Sequence, residues 1–143
     1  MKTSKKISII FFLLFLSLEA VSNFKNIVMQ QGSWVAPASS NTLKNPVAGS
    51  VTATGQGKII YDKYCVVCHG AKGKGDGVAS AGLQIPPADH SSAKVQAQTD
   101  GAIFWKLTNG KNPMPAFNTT LTEDQRWDVV NYIRTLAKVP TKK

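Results

Sequence analysis

The only two cysteines of this 143-residue chain lie in Cys65-Val66-Val67-Cys68-His69. C-x-x-C-H is the attachment signature of a c-type haem, and the spacing has a physical reason. Two thiols so placed add across the two vinyl groups on one edge of the macrocycle, and the adjoining histidine is carried beneath the iron. Cys65 and Cys68 are therefore the candidate thioether residues, and His69 the candidate proximal ligand of one covalently bound haem c. The same cysteines also admit a disulfide or a redox dithiol, but a histidine directly after the second one argues against both. Zinc is the other alternative. The one further histidine is His90, and structural zinc sites take four ligands in paired spacings.

The N-terminus reads as an export signal. Lys2, Lys5 and Lys6 precede the uncharged run from Ile7 to Leu18, and Ala20-Val21-Ser22 supplies small residues for cleavage. A helix over that run reaches only about 18 Å, short of the roughly 30 Å hydrocarbon core, so a cleaved signal peptide at 1–22 is favoured over a retained anchor. Periplasmic localisation follows, with an uncleaved N-terminal anchor as the alternative, and c-type cytochromes are matured outside the cytoplasm. The whole chain has 17 basic and 8 acidic residues; without Lys2, Lys5, Lys6 and Glu19 it keeps 14 and 7. Such a balance suits nucleic acid, acidic lipid or an acidic protein. Beside a haem and an export signal, an acidic redox partner is the best of these, and nucleic acid is excluded.

The length suits one domain with extensions. Residues 23–54 show no helical period and carry Trp34, Pro37 and Asn45-Pro46-Val47, which marks an irregular N-terminal arm or linker. It lies on the haem domain or docks on a partner subunit. The domain itself occupies 55–143. A short helix is expected from Gln56 to Tyr64, where Gly57 and Tyr61 suit a close helix crossing. The glycine-rich run from Gly70 to Gly77 lacks the spacing of a phosphate cradle and reads as a flexible loop beside the haem edge. Pro86 and Pro87 continue it.

A second helix is expected from Asp100 to Asn109, capped by Thr99 or Asp100 and ended by Gly110, with Ile103, Phe104 and Leu107 as its buried stripe. Trp105 on it is either core or a donor to a haem propionate. The last helix opens with Thr122-Glu123-Asp124-Gln125, a capping box with acids in the first turn. Trp127, Val130, Ile133 and Ala137, with Val129, Tyr132 and Leu136, form its apolar face, while Arg134 and Lys138 suit its end and Pro140 stops it.

The distal side of the iron decides the class of function. A second protein ligand makes an electron carrier, whereas an open position makes a gas binder or a catalyst. Met114, set between Pro113 and Pro115 in a loop away from any helical apolar face, is the candidate sixth ligand. The two prolines stiffen that loop. His90, 21 residues after His69, is the rival, and would give a bis-histidine site of lower potential.

Together these residues resemble the class I (mitochondrial-like) cytochrome c domain. The likeness runs over about residues 54–138: Gly57-x-x-x-Tyr61 ahead of Cys65-x-x-Cys68-His69-Gly70, then Met114-Pro115, then a closing helix with Trp127 and Tyr132-Ile133-Arg134. Asp100-Gly101-x-x-Phe104-Trp105 and the stretch from Arg126 to Arg134 look like monohaem cytochromes and cytochrome subunits of bacterial respiratory or dehydrogenase complexes. The resemblance implies an all-α cytochrome c fold, small helices wrapped around one haem. It also implies first and last helices crossing near a right angle, with Gly57 and Tyr61 meeting the Tyr132 region. A proline carbonyl, Pro86 or Pro87, would accept the proximal histidine's ring N–H.

The expected protein is thus a monohaem electron carrier, not an enzyme, passing single electrons between a redox donor and acceptor. Lys72, Lys74 and Lys111 are expected around the contact edge. The arm before residue 54 departs from small soluble cytochromes and admits a subunit fixed in a larger, membrane-bound complex. A haem enzyme or gas sensor with an open sixth site is the other alternative.

Overall fold

A computed structural model describes residues 34–137. The expected signal segment 1–22, residues 23–33 of the expected arm, and Lys138 and Pro140 lie outside the described residues. Among the described residues five α-helices follow one another: α1 Val51–Tyr64, α2 Val66–His69, α3 Ala93–Gln96, α4 Asp100–Asn109 and α5 Glu123–Thr135. Short 3-10 turns cover Ala38–Thr42 and Ser80–Gly82. The described residues hold no strand; a single isolated bridge joins Lys111 and Met114. The fold is all-α, and none of these helices is long and apolar enough to cross a membrane.

Each long helix begins where a side chain satisfies an orphan amide. Ser50 accepts from Ala53 N at 3.2 Å, Thr99 from Ala102 N at 3.1 Å, and Thr122 from Gln125 N at 3.2 Å. At α5 the box is reciprocal, because Gln125 Oε1 accepts from Thr122 N at 2.9 Å. The Ser50 cap starts α1 five residues ahead of the expected Gln56. Thr52, Thr54 and Gly55 are poor helix formers, so propensity hides this first turn.

Ala53, Gly57 and Tyr61, spaced four apart, form the buried stripe of α1 and face α5. The crossing is close. A Cβ on Gly57 would lie 1.9 Å from the Asp128 carbonyl oxygen of α5. One turn on, the Tyr61 and Tyr132 rings meet edge to face at 5.0 Å. Tyr61, Ile133, Val129 and Val130 are essentially without exposed surface, and each of the three aliphatics contributes roughly 1.5–3 kcal/mol by burial. Helix α4 closes the core by stacking Phe104 on Trp127, ring centroids 3.9 Å apart.

From Val35 onward the described residues form one compact unit. Residues 35–50 are fastened to it by a polar clasp. Asn45 Nδ2 donates to Asp100 Oδ2 at 2.8 Å and to Asn131 Oδ1 at 3.2 Å, while Asn131 Nδ2 donates to the Val47 carbonyl at 2.7 Å. Arg134 Nε donates to Asp100 Oδ1 at 2.7 Å, and its other nitrogens reach the Gln96 and Gln98 carbonyls. This stretch of the arm lies on its own domain, held there through Asn45, the Val47 carbonyl and Asn41, whose Oδ1 accepts from the Thr99 hydroxyl at 2.8 Å.

Candidate haem site

Helix α1 runs almost straight into the C-x-x-C-H segment. Cys65 caps α1 through its N–H to Tyr61 O at 2.8 Å and opens α2, whose His69 N donates to Cys65 O at 2.8 Å. One helical turn therefore carries Cys68 and His69 to positions three and four beyond Cys65, on a shared side. Both thiols are free, Cys65 buried and Cys68 partly so. Burial, reinforced by the nearby Cys68 and Asp62, pushes the Cys65 thiol up to about 12. A redox dithiol needs the opposite shift, since the thiolate is the reactive form.

The glycine-rich run is tied down rather than flexible. Gly75 N donates to His69 O at 2.8 Å, Gly77 N to Cys68 O at 3.1 Å and Ala79 N to Val67 O at 2.9 Å. The loop thus satisfies the carbonyls left open at the end of α2.

His69 is 9% exposed, and its Nδ1 lies 3.0 Å from the Ala88 carbonyl oxygen. A carbonyl only accepts, so Nδ1 carries the proton and Nε2 keeps a free lone pair, the arrangement typical of a metal-ligating histidine. Burial holds the ring below its ordinary pKa, opposed by the Ala88 bond. The acceptor is neither Pro86 nor Pro87 but the next residue. In an irregular loop, the carbonyl turned toward the ring is set by backbone torsions that proline content does not specify.

His90 lies against His69, ring centroids 4.0 Å apart and planes 18° from parallel. Two imidazoles stacked face to face cannot stand on opposite sides of one iron, so this placement speaks against His90 as the sixth ligand. Burial, with the neighbouring His69, pushes its pKa down to about 3, and the ring is neutral at ordinary pH. Its Nδ1 shares a hydrogen bond with the Tyr61 hydroxyl at 3.1 Å. The sequence offered no sign of this contact.

Met114 sits in a tight turn. Lys111 N donates to Met114 O at 3.0 Å, and Met114 N donates to Lys111 O at 2.8 Å. The turn is anchored to the end of α4, where Phe117 N donates to Leu107 O at 2.9 Å. Gly110 makes the return path, with φ +62°, and a Cβ there would lie 2.5 Å from Ala116 N. Met114 is partly buried and packs on the hydrophobic cluster that includes Cys65 and Phe117. Lys72, Lys74 and Lys111 are exposed, and Trp105 is partly buried.

Two free thiols one turn apart, followed by a buried imidazole with one nitrogen committed and the other open, are the donor set a covalent haem requires. Residues 52–133 match the family model described as cytochrome c oxidase, cbb3-type, subunit III. The chain is 34% identical over 102 residues to a cytochrome c6 of Gloeothece citriformis, covering 71% of this chain and 77% of the relative. With a cytochrome c6 of Euglena gracilis it shares 33% identity, over 57% of this chain and 90% of the relative.

Among solved structures, it superposes on the KustC0563 c-type cytochrome with a TM-score of 0.50 and 26% identity, covering 57% of this chain and 98% of that one. A chain of the Kuenenia stuttgartiensis reducing HAO-like protein complex gives a TM-score of 0.61 at 28% identity over 68% of this chain. The present chain spans about half of that one, 49%. The chain belongs to the family of cytochrome c oxidase, cbb3-type, subunit III, as a class I electron-transfer c-type cytochrome that holds one covalently bound haem c.

Proposed function

We propose that the protein is an exported, periplasmic electron carrier whose haem would be attached through Cys65 and Cys68, with His69 and Met114 holding its iron. Residues 1–22 act as the signal peptide, 23–50 as an arm and 51–143, from the start of α1, as the haem domain. The bound haem supplies a one-electron couple. The observation carrying the reading is the His69–Ala88 bond, which leaves Nε2 as the ring's open donor, together with the doubly hydrogen-bonded turn that presents Met114. His69 and Met114 would together hold the iron, so electron transfer would need little rearrangement and small gases would be kept out. The reduced protein is therefore expected to leave its absorbance unchanged under carbon monoxide. A shifted spectrum supports a gas sensor or haem enzyme instead.

The partners are a redox donor and a redox acceptor of a respiratory or dehydrogenase system, the acceptor presenting an acidic surface to Lys72, Lys74 and Lys111. Opposite charges speed encounter, and salt screens them as the Debye length falls from about 10 Å at 0.1 M to about 3 Å at 1 M. The second-order transfer rate to an acidic acceptor should fall with ionic strength, and Lys72→Glu or Lys111→Glu should slow it without altering the spectrum.

The similarity to a chain of the reducing HAO-like protein complex favours a second reading, a subunit fixed in a larger assembly. That reading calls for first-order transfer, indifferent to dilution. Stopped-flow rates against acceptor concentration at two salt levels separate the two.

A further inference from the structure

We propose that His90 is a positioning residue for the proximal ligand: its ring, lying flat on His69 and hydrogen-bonded to Tyr61, fixes the plane in which the His69 imidazole presents Nε2. The inference rests on His69 being an iron ligand. A single hydrogen bond from Nδ1 to the Ala88 carbonyl sets the tautomer and the direction of that N–H, but it leaves the ring free to turn about the N–H···O line. A flat neighbour against one face removes that freedom. His90 is such a neighbour, at 4.0 Å between centroids and 18° between planes.

His90 is itself held from several sides. Its backbone N donates to Gly73 O at 2.6 Å. Its carbonyl accepts from Gln96 Nε2 at 2.7 Å, and the same amide donates to Ile133 O of α5 at 2.9 Å. Its Nδ1 meets the hydroxyl of Tyr61, which has no exposed surface and packs edge-on against both His90 and Tyr132. The α1–α5 crossing is thereby connected, through Tyr61 and His90, to the orientation of His69. A leucine would fill the space without a flat face. A phenylalanine would supply the face without the bond to Tyr61.

The test uses the haem-loaded protein and three variants, read by the ferric electron paramagnetic resonance spectrum and by the reduction potential, with thermal melts alongside. Axial-ring orientation shapes the first, and groups around the ligand tune the second. His90→Ala is expected to broaden the low-spin signal into a mixture and to change the electron-exchange equilibrium by about tenfold, about 59 mV for one electron. His90→Phe is expected to restore a single signal, because it restores the flat contact. Tyr61→Phe removes one oxygen from a packed ring and is expected to give a smaller change of the same kind.

Unchanged signal and potential in His90→Ala overturn the proposal. If His90→Ala does not yield a folded, haem-loaded protein, Tyr61→Phe decides it, and an unaltered spectrum there overturns it equally. A sulfur-to-iron band missing from the unaltered protein, with carbon monoxide bound by reduced His90→Ala but not by reduced Met114→Ala, makes His90 an iron ligand and overturns the ligation reading too. Loss of that band in Met114→Ala, with His90→Ala silent, removes the positioning role alone.

Discussion

Gly57→Ala is expected to cost on the order of 3 kcal/mol, because the added methyl has nowhere to go. Its Cβ would lie 1.9 Å from the Asp128 carbonyl oxygen, 2.4 Å from the carbonyl carbon and 3.0 Å from Val129 N. All three are backbone atoms of α5, so no rotamer change relieves the clash and the helices must move apart. Separation would loosen the burial of Tyr61 and Val129 and the edge-to-face contact of Tyr61 with Tyr132. Against a total stability of about 5–15 kcal/mol this is a large fraction, and the melting temperature should fall by roughly 10–20 °C.

Gly55 provides the control within the same helix. Nothing lies within 4 Å of a Cβ there, so Gly55→Ala is expected to be neutral or to stabilise by up to about 1 kcal/mol through helix propensity. Thermal melts of the two variants test the crossing. Equal tolerance at both positions would contradict it.

The contrast between these glycines shows what the sequence made legible. Gly57 four residues before Tyr61 marked a close crossing, and the capping box at Thr122 marked the start of α5, because both signals are local and periodic. The C-x-x-C-H segment carried the cofactor by spacing alone. Other features depended on contacts distant in sequence. The first turn of α1 contains two threonines and a glycine, and the Ser50 cap with packing on α5 outweighs their propensity. Asn45 reads as loop punctuation, yet it meets Asp100 and Asn131, 55 and 86 residues away.

Around the haem motif the same division holds. Pro86 and Pro87 marked the loop but not the Ala88 carbonyl that meets His69. His90 read as a rival ligand because nothing near it in sequence points to His69. Its place follows from the hydrogen bonds of Gly73 and Gln96 to its backbone, which position the residue before its ring does anything. The glycines from Gly70 to Gly77 suggested flexibility, whereas their amides close the end of α2.

Met114→Ala carries the other large effect, a change in the chemistry of the iron rather than in stability. The turn that bears it is closed by two hydrogen bonds between Lys111 and Met114 backbones, and these survive removal of the side chain. The loop should therefore stay in place while the thioether is lost. His90, the rival to Met114 as sixth ligand, is stacked on His69 and cannot take the place of the thioether. Methionine opposite histidine raises the potential of a haem, so its loss should lower that potential.

The most direct measurement of His69/Met114 ligation is the absorbance of the ferric and reduced Met114→Ala protein beside the unaltered protein, before and after carbon monoxide. The variant is expected to lose the weak red sulfur-to-iron band and, once reduced, to bind carbon monoxide, while the unaltered protein shows the band and stays closed. A variant that keeps the band and remains closed to carbon monoxide would contradict that ligation.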